Sequence, residues 1–309
     1  MKFDIVIPFK DAETHLPNIC ADLENQTNKN FTAHFVSDQS SDESLAYLKN
    51  DFSFSYHVWE SDGIGPGAAR NTGINSSSGD YILFIDADDR ITKDYTSKFY
   101  EKARSTGADI IECMYQSIDS NGTIVSGTNL ESFISSSDRF LALVYGDVPR
   151  LSWGKAYKRK AIEDRHAFFP ENIHNGEDHI FLLKAYKDLP HIEIICEHLY
   201  RWIRHPQSLT NRETTEKTIE DFVRVSELKA EILNLTSENR PSDEELLLKF
   251  SRRIFKEARI LISKVISDSK NPQNIIRHLR ELMLQSTHLN LTKEIIKNDS
   301  TSYWKDVME

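Results

Sequence analysis

The sequence predicts an α/β domain with a Rossmann-like mixed sheet over residues 1–212 and a helical appendage over residues 213–309. Three observations carry that prediction. Apolar, β-branched runs alternate with helical patterns through the first half; this implies mostly parallel strands joined by right-handed crossovers. The run Tyr81–Ile85 ends in Asp86-Ala87-Asp88-Asp89, and ligands of open α/β sheets bind at the carboxyl ends of strands. From about Thr214 onward the pattern is helical throughout.

The elements follow in order. Phe3–Pro8 is apolar and β-branched and reads as a strand. Within Ala12–Asn25, Leu16, Ile19, Cys20 and Leu23 recur at helical spacing. Thr32–Ser37 is a second strand, Ser41–Asn50 a short helix and Phe54–Trp59 a third strand. Gly65-Pro66-Gly67 opens a helix of small residues, Ala68–Ile74, with proline near its first turn. Gly79-Asp80 turns the chain into Tyr81–Ile85, a run too short and too β-branched for a helix and apolar enough for burial on both faces. Lys93–Ser105 is expected as a helix, Asp109–Gln116 as a strand, and Asn121-Gly122 as a hairpin turn. Helices at Ser137–Tyr145 and Gly176–Tyr186 precede two closing strands, His191–Ile195 and His198–Ile203. In the appendage, Ser242 and Glu245 form a capping-box signature. Leu247, Phe250, Ile254, Ala258, Leu261 and Val265 follow at helical spacing, and Asn271-Pro272 restarts a further helix. Such amphipathic helices serve packing first. Self-association into a homo-oligomer, or docking on a membrane surface, are the alternatives.

Composition narrows the function. The net charge of −10 on 309 residues supplies no basic stripe, so general nucleic-acid binding is excluded. The three cysteines, Cys20, Cys113 and Cys196, are odd in number and far apart. They make neither a disulfide framework nor a zinc cluster, and are expected as buried free thiols in a reducing compartment. MKFDIVIPFK reads as a first strand, not a signal peptide. No apolar run approaches the ~20 residues that span a bilayer. A cytoplasmic protein is expected, with peripheral contact at the inner face of the cell membrane left open.

The chemistry-bearing residues cluster at predicted strand ends. Carboxylates as crowded as Asp86, Asp88 and Asp89 repel unless a cation or strong donors sit among them. That pattern suits a divalent metal holding a phosphorylated substrate. Asp38 ends the second strand, where a carboxylate can accept from a nucleobase imide; Ser40, Ser41 and Asp42 also suit the cap of the next helix. Arg70 either reaches a phosphate or base carbonyl from its helix, or lies exposed on a helix packed tightly against the sheet. Glu177-Asp178 either supplies a general base or is an ordinary acidic first turn. Trp153-Gly154 is either a sugar platform or a packed tryptophan. Arg204-His205, with Ser208 and Thr210 beyond, either returns to a phosphate or metal or lies on the surface.

Together these motifs resemble the family-2 inverting glycosyltransferases with a GT-A fold. The matching residues are Ile5-Val-Ile-Pro8, Ser37-Asp-Gln-Ser-Ser-Asp42, Gly67-Ala-Ala-Arg-Asn-Thr-Gly73 and Gly79 through Asp89. The match resumes at Trp153-Gly-Lys155 with Tyr157-Lys-Arg159, at Gly176-Glu-Asp178, and at Tyr200-Arg201 through Ser208. It is continuous over about residues 3–115 and patchier to 210. The resemblance implies a nucleotide-diphosphate-sugar donor, usually a uridine one, and Mn²⁺ or Mg²⁺. Carried over by position, it implies that Pro8, Asp38, Arg70, Asp86, Ala87, Gly154 and Arg204 hold the nucleotide sugar. Asp88 and His205 would hold the metal, Trp153 would lie near the acceptor, and Asp178 would be the base with Glu177 beside it. The acceptor would be a hydroxyl of a glycan, a lipid-linked acceptor or a cell-surface polymer.

Two departures stand out: Ser37-Asp38 replaces the usual pair of acids, and Gln39 the usual glycine. Lys10 stands where an aromatic residue is common. His198-Leu-Tyr-Arg201-Trp202 only partly echoes the motif of processive membrane synthases, which favours a non-processive transferase. Two other readings compete. A sugar-nucleotide nucleotidyltransferase should carry a Gly-rich loop after the first strand, which Pro8-Phe-Lys-Asp-Ala-Glu13 is not. An inactive sugar-nucleotide-binding scaffold does not explain why Asp86, Asp88, Asp178 and His205 occur together.

Overall fold

In the computed structural model the strands are β1 (Phe3–Phe9), β2 (Phe31–Ser37), β3 (Ser55–Glu60), β4 (Tyr81–Phe84), β5 (Arg90–Ile91), β6 (Ile110–Ile118), β7 (Ile124–Gly127), β8 (Lys155–Lys158) and β9 (Ile192–Ile203). The helices are α1 (Leu16–Glu24), α2 (Ser44–Tyr47), α3 (Pro66–Ser76), α4 (Tyr95–Thr106), α5 (Ser136–Tyr145), α6 (Arg159–Asp164), α7 (Glu177–Tyr186), α8 (Glu216–Ile232), α9 (Glu244–Asp268) and α10 (Pro272–Gln285). The structure describes residues 1–119, 121–128, 136–204, 214–234, 244–268, 272–286, 289, 292–293 and 307. His205, Ser208, Thr210, Ser242 and Asn271 lie outside the described residues.

The chain divides into two compact units. The first comprises Met1–Phe140, Arg150–Ile173 and Glu177–Pro206; the second comprises Leu141–Pro149, His174–Gly176 and Gln207–Glu309. The first unit holds one sheet in the order β3-β2-β1-β4-β8-β6-β9-β5, with β7 folded back on β6. β3, β2, β1 and β4 run parallel. β8 is antiparallel to both β4 and β6, and β9 returns parallel to β6. The sheet is therefore mixed, as the sequence predicts. β1, β2 and β4 become adjacent parallel strands because their apolar runs are covered on both faces.

Three local expectations change. The helix over Ser41–Asn50 shrinks to the single turn of α2. The two closing strands are one strand, β9, whose register against β6 shifts near Cys113 and Met114. β8 and α6 were not anticipated, because Lys155-Ala-Tyr-Lys158 carries two lysines and no apolar alternation. Of the thiols, Cys20 and Cys113 are buried as expected but Cys196 is exposed, so burial does not hold for all three.

Two features fix the strands that carry the site. A Cβ on Gly73 would stand 2.3 Å from Val6 Cγ1, so α3 lies on β1 at a separation that only glycine permits. Beneath it Asp4, fully buried, accepts from the Ser78 amide at 2.8 Å and from the Gly79 amide. It also faces His34 Nε2 at 3.3 Å. Trp59 Nε1 donates to His34 Nδ1 at 3.2 Å, which places the imidazole proton on Nε2 and points it at Asp4. This relay ties β1, β2 and β3 together.

The second unit contains α8, α9 and α10. Thr215 caps α8 in a reciprocal pair with Thr218. Leu247, Phe250, Ile254, Ala258 and Val265 of α9 are buried as the spacing predicts, while Leu261 is half-buried; Ile276, Leu279 and Met283 of α10 are buried as well. Lys229 of α8 pairs with Glu257 of α9 at 3.2 Å.

Candidate active site

The carboxyl ends of three adjacent parallel strands meet at one edge of the sheet. Pro8 lies near the end of β1, Ser37-Asp38 leaves β2, and Asp86-Ala87-Asp88 follows β4. This is where a doubly wound sheet places a ligand. Asp38 is 7% exposed, and its Oδ1 accepts from the Gly65 amide at 3.0 Å. Its Oδ2 faces Lys10 Nζ at 3.7 Å. Gln39 takes a φ of 57°, the left-handed conformation that the usual glycine would adopt freely. The departure at position 39 thus keeps the turn and adds a side chain.

Arg70 is the hub of the site. It is 4% exposed, on the buried helix α3. Nη2 donates to Asp86 Oδ1 at 2.9 Å, and Nη1 to Glu177 Oε1 at 3.0 Å. Asp178 Oδ1 lies 3.2 Å from Nη1 as a further ion pair. The guanidinium also sits over the Phe169 ring, 5.3 Å from its centroid. The reading of Arg70 as an exposed residue on a packed helix does not fit this arrangement. Arg70 is not exposed, and its two terminal nitrogens are engaged by carboxylates from two distant motifs. Glu177 and Asp178 occupy the first turn of α7, whose N-terminus favours anions. Asp178 Oδ2 takes a long contact, 3.4 Å, from the Ser152 amide.

Asp89, the last of the crowded carboxylates, holds the motif in place. It is fully buried, accepts the Tyr200 hydroxyl at 2.6 Å, and accepts the Ile203 amide at 2.8 Å. The Asp86 amide in turn donates to the Tyr200 oxygen at 3.2 Å. The hydroxyl of β9 therefore fixes the backbone of the motif from behind. Trp153 stacks on Tyr200 with centroids 4.3 Å apart and planes 6° from parallel. At 3% exposure it is the packed tryptophan of the two readings. Gly154 holds a φ of 67°, and its carbonyl accepts from the Cys113 amide at 2.9 Å. Arg204 is exposed; its Nε donates to Ser117 Oγ at 2.7 Å, and its guanidinium lies over Trp202.

Of the sequence-predicted residues, the structure thus joins Arg70, Asp86, Glu177 and Asp178 directly and sets Pro8, Asp38, Ala87 and Asp88 at the same strand-end edge. Trp153 and Gly154 support that edge from behind, and His205 is not described. Sequence reasoning missed Ser152 and Tyr200 as supports and underrated Asp89. The third carboxylate of Asp86-Ala-Asp-Asp89 was a signal for Asp89; nothing local marks Ser152.

Burial raises Asp86, with Asp88 and Asp178 adding to it and Arg70 opposing, so its carboxyl is pushed up to about 6. Glu177 is raised to about 7 by burial and the charge of Asp178, again against Arg70. Asp89 is raised by burial and by the neighbouring Asp86 and Asp88, against the bonds from Tyr200 and Ile203. The folded state therefore keeps protons on Asp86 and Glu177 that the unfolded chain has released, and stability falls as pH rises from about 4 to about 7. Without added divalent cations, the urea midpoint is expected to be lower at about pH 8 than at about pH 5, and Glu177→Gln should flatten the difference. Equal wild-type midpoints would remove the burial argument.

A divalent cation fits the chemistry of this edge. Asp88 is half-buried beside two other carboxylates, and among the described residues its oxygens engage no donor. The described residues hold no group of three or more metal-ligating side chains. Hard cations that bind with phosphates need only one or two protein carboxylates.

Comparison with known proteins gives a consistent picture. The model of Glycosyl transferase family 2 matches residues 4–165, more than half of the chain. The poly(ribitol-phosphate) beta-N-acetylglucosaminyltransferase TarS of Staphylococcus aureus is 25% identical over 265 residues, covering 84% of this chain and 45% of the relative. A poly(ribitol-phosphate) beta-glucosyltransferase of Bacillus spizizenii is 28% identical over 213 residues, covering 66% of this chain and 32% of the relative. The chain spans less than half the length of these two relatives. The crystal structure of S. aureus TarS 1-349 in complex with UDP-GlcNAc superposes with a TM-score of 0.61 at 18% identity, over 99% of this chain and 92% of that one. The fold is thus shared with that protein.

Proposed function

The chain belongs to glycosyl transferase family 2, and from that membership we propose that it transfers a sugar from a UDP-sugar to a hydroxyl of a cell-surface polymer. The observation that carries the proposal is the Arg70 bridge. It joins Asp86, at the end of β4, to Glu177, 107 positions from Arg70 in sequence, so that a donor-binding motif and a basic carboxylate share one edge. Asp178 is the general base, taking the proton of the acceptor hydroxyl as that oxygen attacks the anomeric carbon. A single displacement inverts the anomeric centre and passes through oxocarbenium character. Asp38, Pro8 and Lys10 contact the base, and Asp86 and Ala87 the ribose or donor sugar, while Arg204 reaches the diphosphate.

Asp88 would hold Mn²⁺ or Mg²⁺ together with the diphosphate oxygens, with His205 as a second ligand. When bound, the cation supplies neutralisation of the charge on the leaving diphosphate. Poly(ribitol-phosphate) in the names of the two relatives suggests a polyol polymer as acceptor. Residues 213–309 form a separate helical domain that serves packing, self-association or acceptor docking. Among the described residues no helix is long and apolar enough to cross a membrane.

A thermal-shift panel of UDP-N-acetylglucosamine, UDP-glucose, UDP-galactose and GDP-mannose, each with and without Mn²⁺, tests donor and metal together. At ligand concentrations ~100-fold above Kd the native state gains about 2.7 kcal/mol, enough for a shift of several degrees. A UDP-sugar is expected to give the largest shift, and Mn²⁺ to enlarge it. No shift with any of the four, with or without metal, would overturn the proposal.

A further inference from the structure

Behind the loop at Trp153 and Gly154 lies a second set of buried charges that the transfer chemistry above does not use. Glu112 of β6, Arg139 of α5, Lys155 of β8 and Tyr186 of α7 are each more than nine-tenths buried. Glu112 and Lys155 are register partners across the β6–β8 pair, and Lys155 Nζ stands 3.9 Å from Glu112 Oε2. Arg139 donates to Glu112 from Nε at 3.2 Å and from Nη2, and the Tyr186 hydroxyl donates to Oε1. Burial would raise Glu112, but the charges of Lys155 and Arg139 and these bonds hold it below the usual carboxylate range.

The Lys155 ammonium points back along its own chain. It donates to the Leu151 carbonyl at 2.8 Å and approaches the Trp153 carbonyl at 3.5 Å. Tyr157 closes the remaining carbonyl of this segment by donating to Ser152 O at 2.9 Å. Three consecutive carbonyls are thus tied to side chains of β8. The buried Ser152 hydroxyl has no partner among the described residues, so the register of the loop rests on those ties. The same loop presents the Ser152 amide to Asp178 Oδ2. An apolar side chain could fill the Lys155 site without the desolvation cost of a buried cation. The ammonium is accounted for by the carbonyls it holds.

We propose that Lys155, anchored by Glu112, is a positioning residue that fixes the Leu151–Trp153 loop so that the Ser152 amide orients the Asp178 carboxylate. The inference rests on the reading of Asp178 as the base. Its effect is on geometry, where a displacement of about 1 Å can cost ~100-fold in rate.

The test is a double-mutant cycle on the full chain, with UDP-N-acetylglucosamine as donor, poly(ribitol phosphate) as acceptor and UDP release as the signal. Lys155→Met is expected to lower kcat by about 10-fold to 100-fold, with KM for the donor changed less than about threefold. In an Asp178→Asn background it should lower the residual rate no further, because the side chain it orients no longer acts as a base. Glu112→Gln removes the charge that anchors Lys155 and also costs Arg139 one acceptor; it should show the same pattern, and it carries the comparison if Lys155→Met does not fold. Losses that multiply in the double variant, or a rise in KM at unchanged kcat, would overturn the positioning role. An Asp178→Asn enzyme with wild-type turnover would instead overturn the base assignment beneath it.

Discussion

Asp178→Asn is expected to lower the rate of sugar transfer by about 100-fold to 10,000-fold, the range a positioned general base contributes, while donor affinity stays within a few-fold of wild type. Asparagine is nearly isosteric. Its carbonyl can still take the contact from the Ser152 amide, made at 3.4 Å in the wild type. What it loses is the negative charge and the capacity to remove the acceptor proton. Asp178 sits in the first turn of α7, 3.2 Å from Arg70 Nη1. Donor titration by calorimetry, set beside initial rates of UDP release, separates the two effects. A variant with normal transfer and weak donor binding would move Asp178 from the base to the donor pocket.

Arg70→Gln is expected to reduce stability by about 3–5 kcal/mol, because it leaves buried carboxylates without their cation. Asp86 and Glu177 each lose a charge-assisted hydrogen bond at about 3 Å, and Asp178 loses an ion pair. For a chain of this size that corresponds to a fall in Tm of roughly ten degrees. Arg70→Lys restores the charge but not the planar fork that reaches Asp86 and Glu177 from separate nitrogens, so it should recover only part of the loss. Thermal unfolding and donor titration read the outcome together. If Arg70→Gln is as stable as wild type and only donor affinity falls, Arg70 is a donor ligand and not the clamp between the two acidic motifs.

The expectations that held were local ones. β1, β2 and β4 announce themselves because each is a contiguous apolar run, and contiguous burial needs no partner to be recognised. α3 follows from Pro66 and its small residues, although the reason for Gly73 became visible only as its approach to Val6. β8 was missed because a strand with two lysines looks exposed. In the sheet Lys155 lies opposite Glu112, and both are satisfied in the interior, Lys155 by the Leu151 carbonyl and Glu112 by Arg139 and Tyr186. β9 was divided at Cys196-Glu197, which is instead part of one strand whose register shifts.

The site divides along the same line. Asp86-Ala87-Asp88 was recognisable because a buried run ending in acids says where a ligand edge lies. The sequence by itself determined the α/β class, the resemblance to family-2 glycosyltransferases and the acids at the strand ends, since each is written in neighbouring residues. Only the tertiary structure decided that Arg70 is buried between Asp86, Glu177 and Asp178, that Tyr200 anchors Asp89, and that Trp153 is packed behind the motif. The reason is physical. A charge takes its role from the groups that face it and from the water it has lost, and here those groups come from strands and helices as many as 114 positions away in the chain.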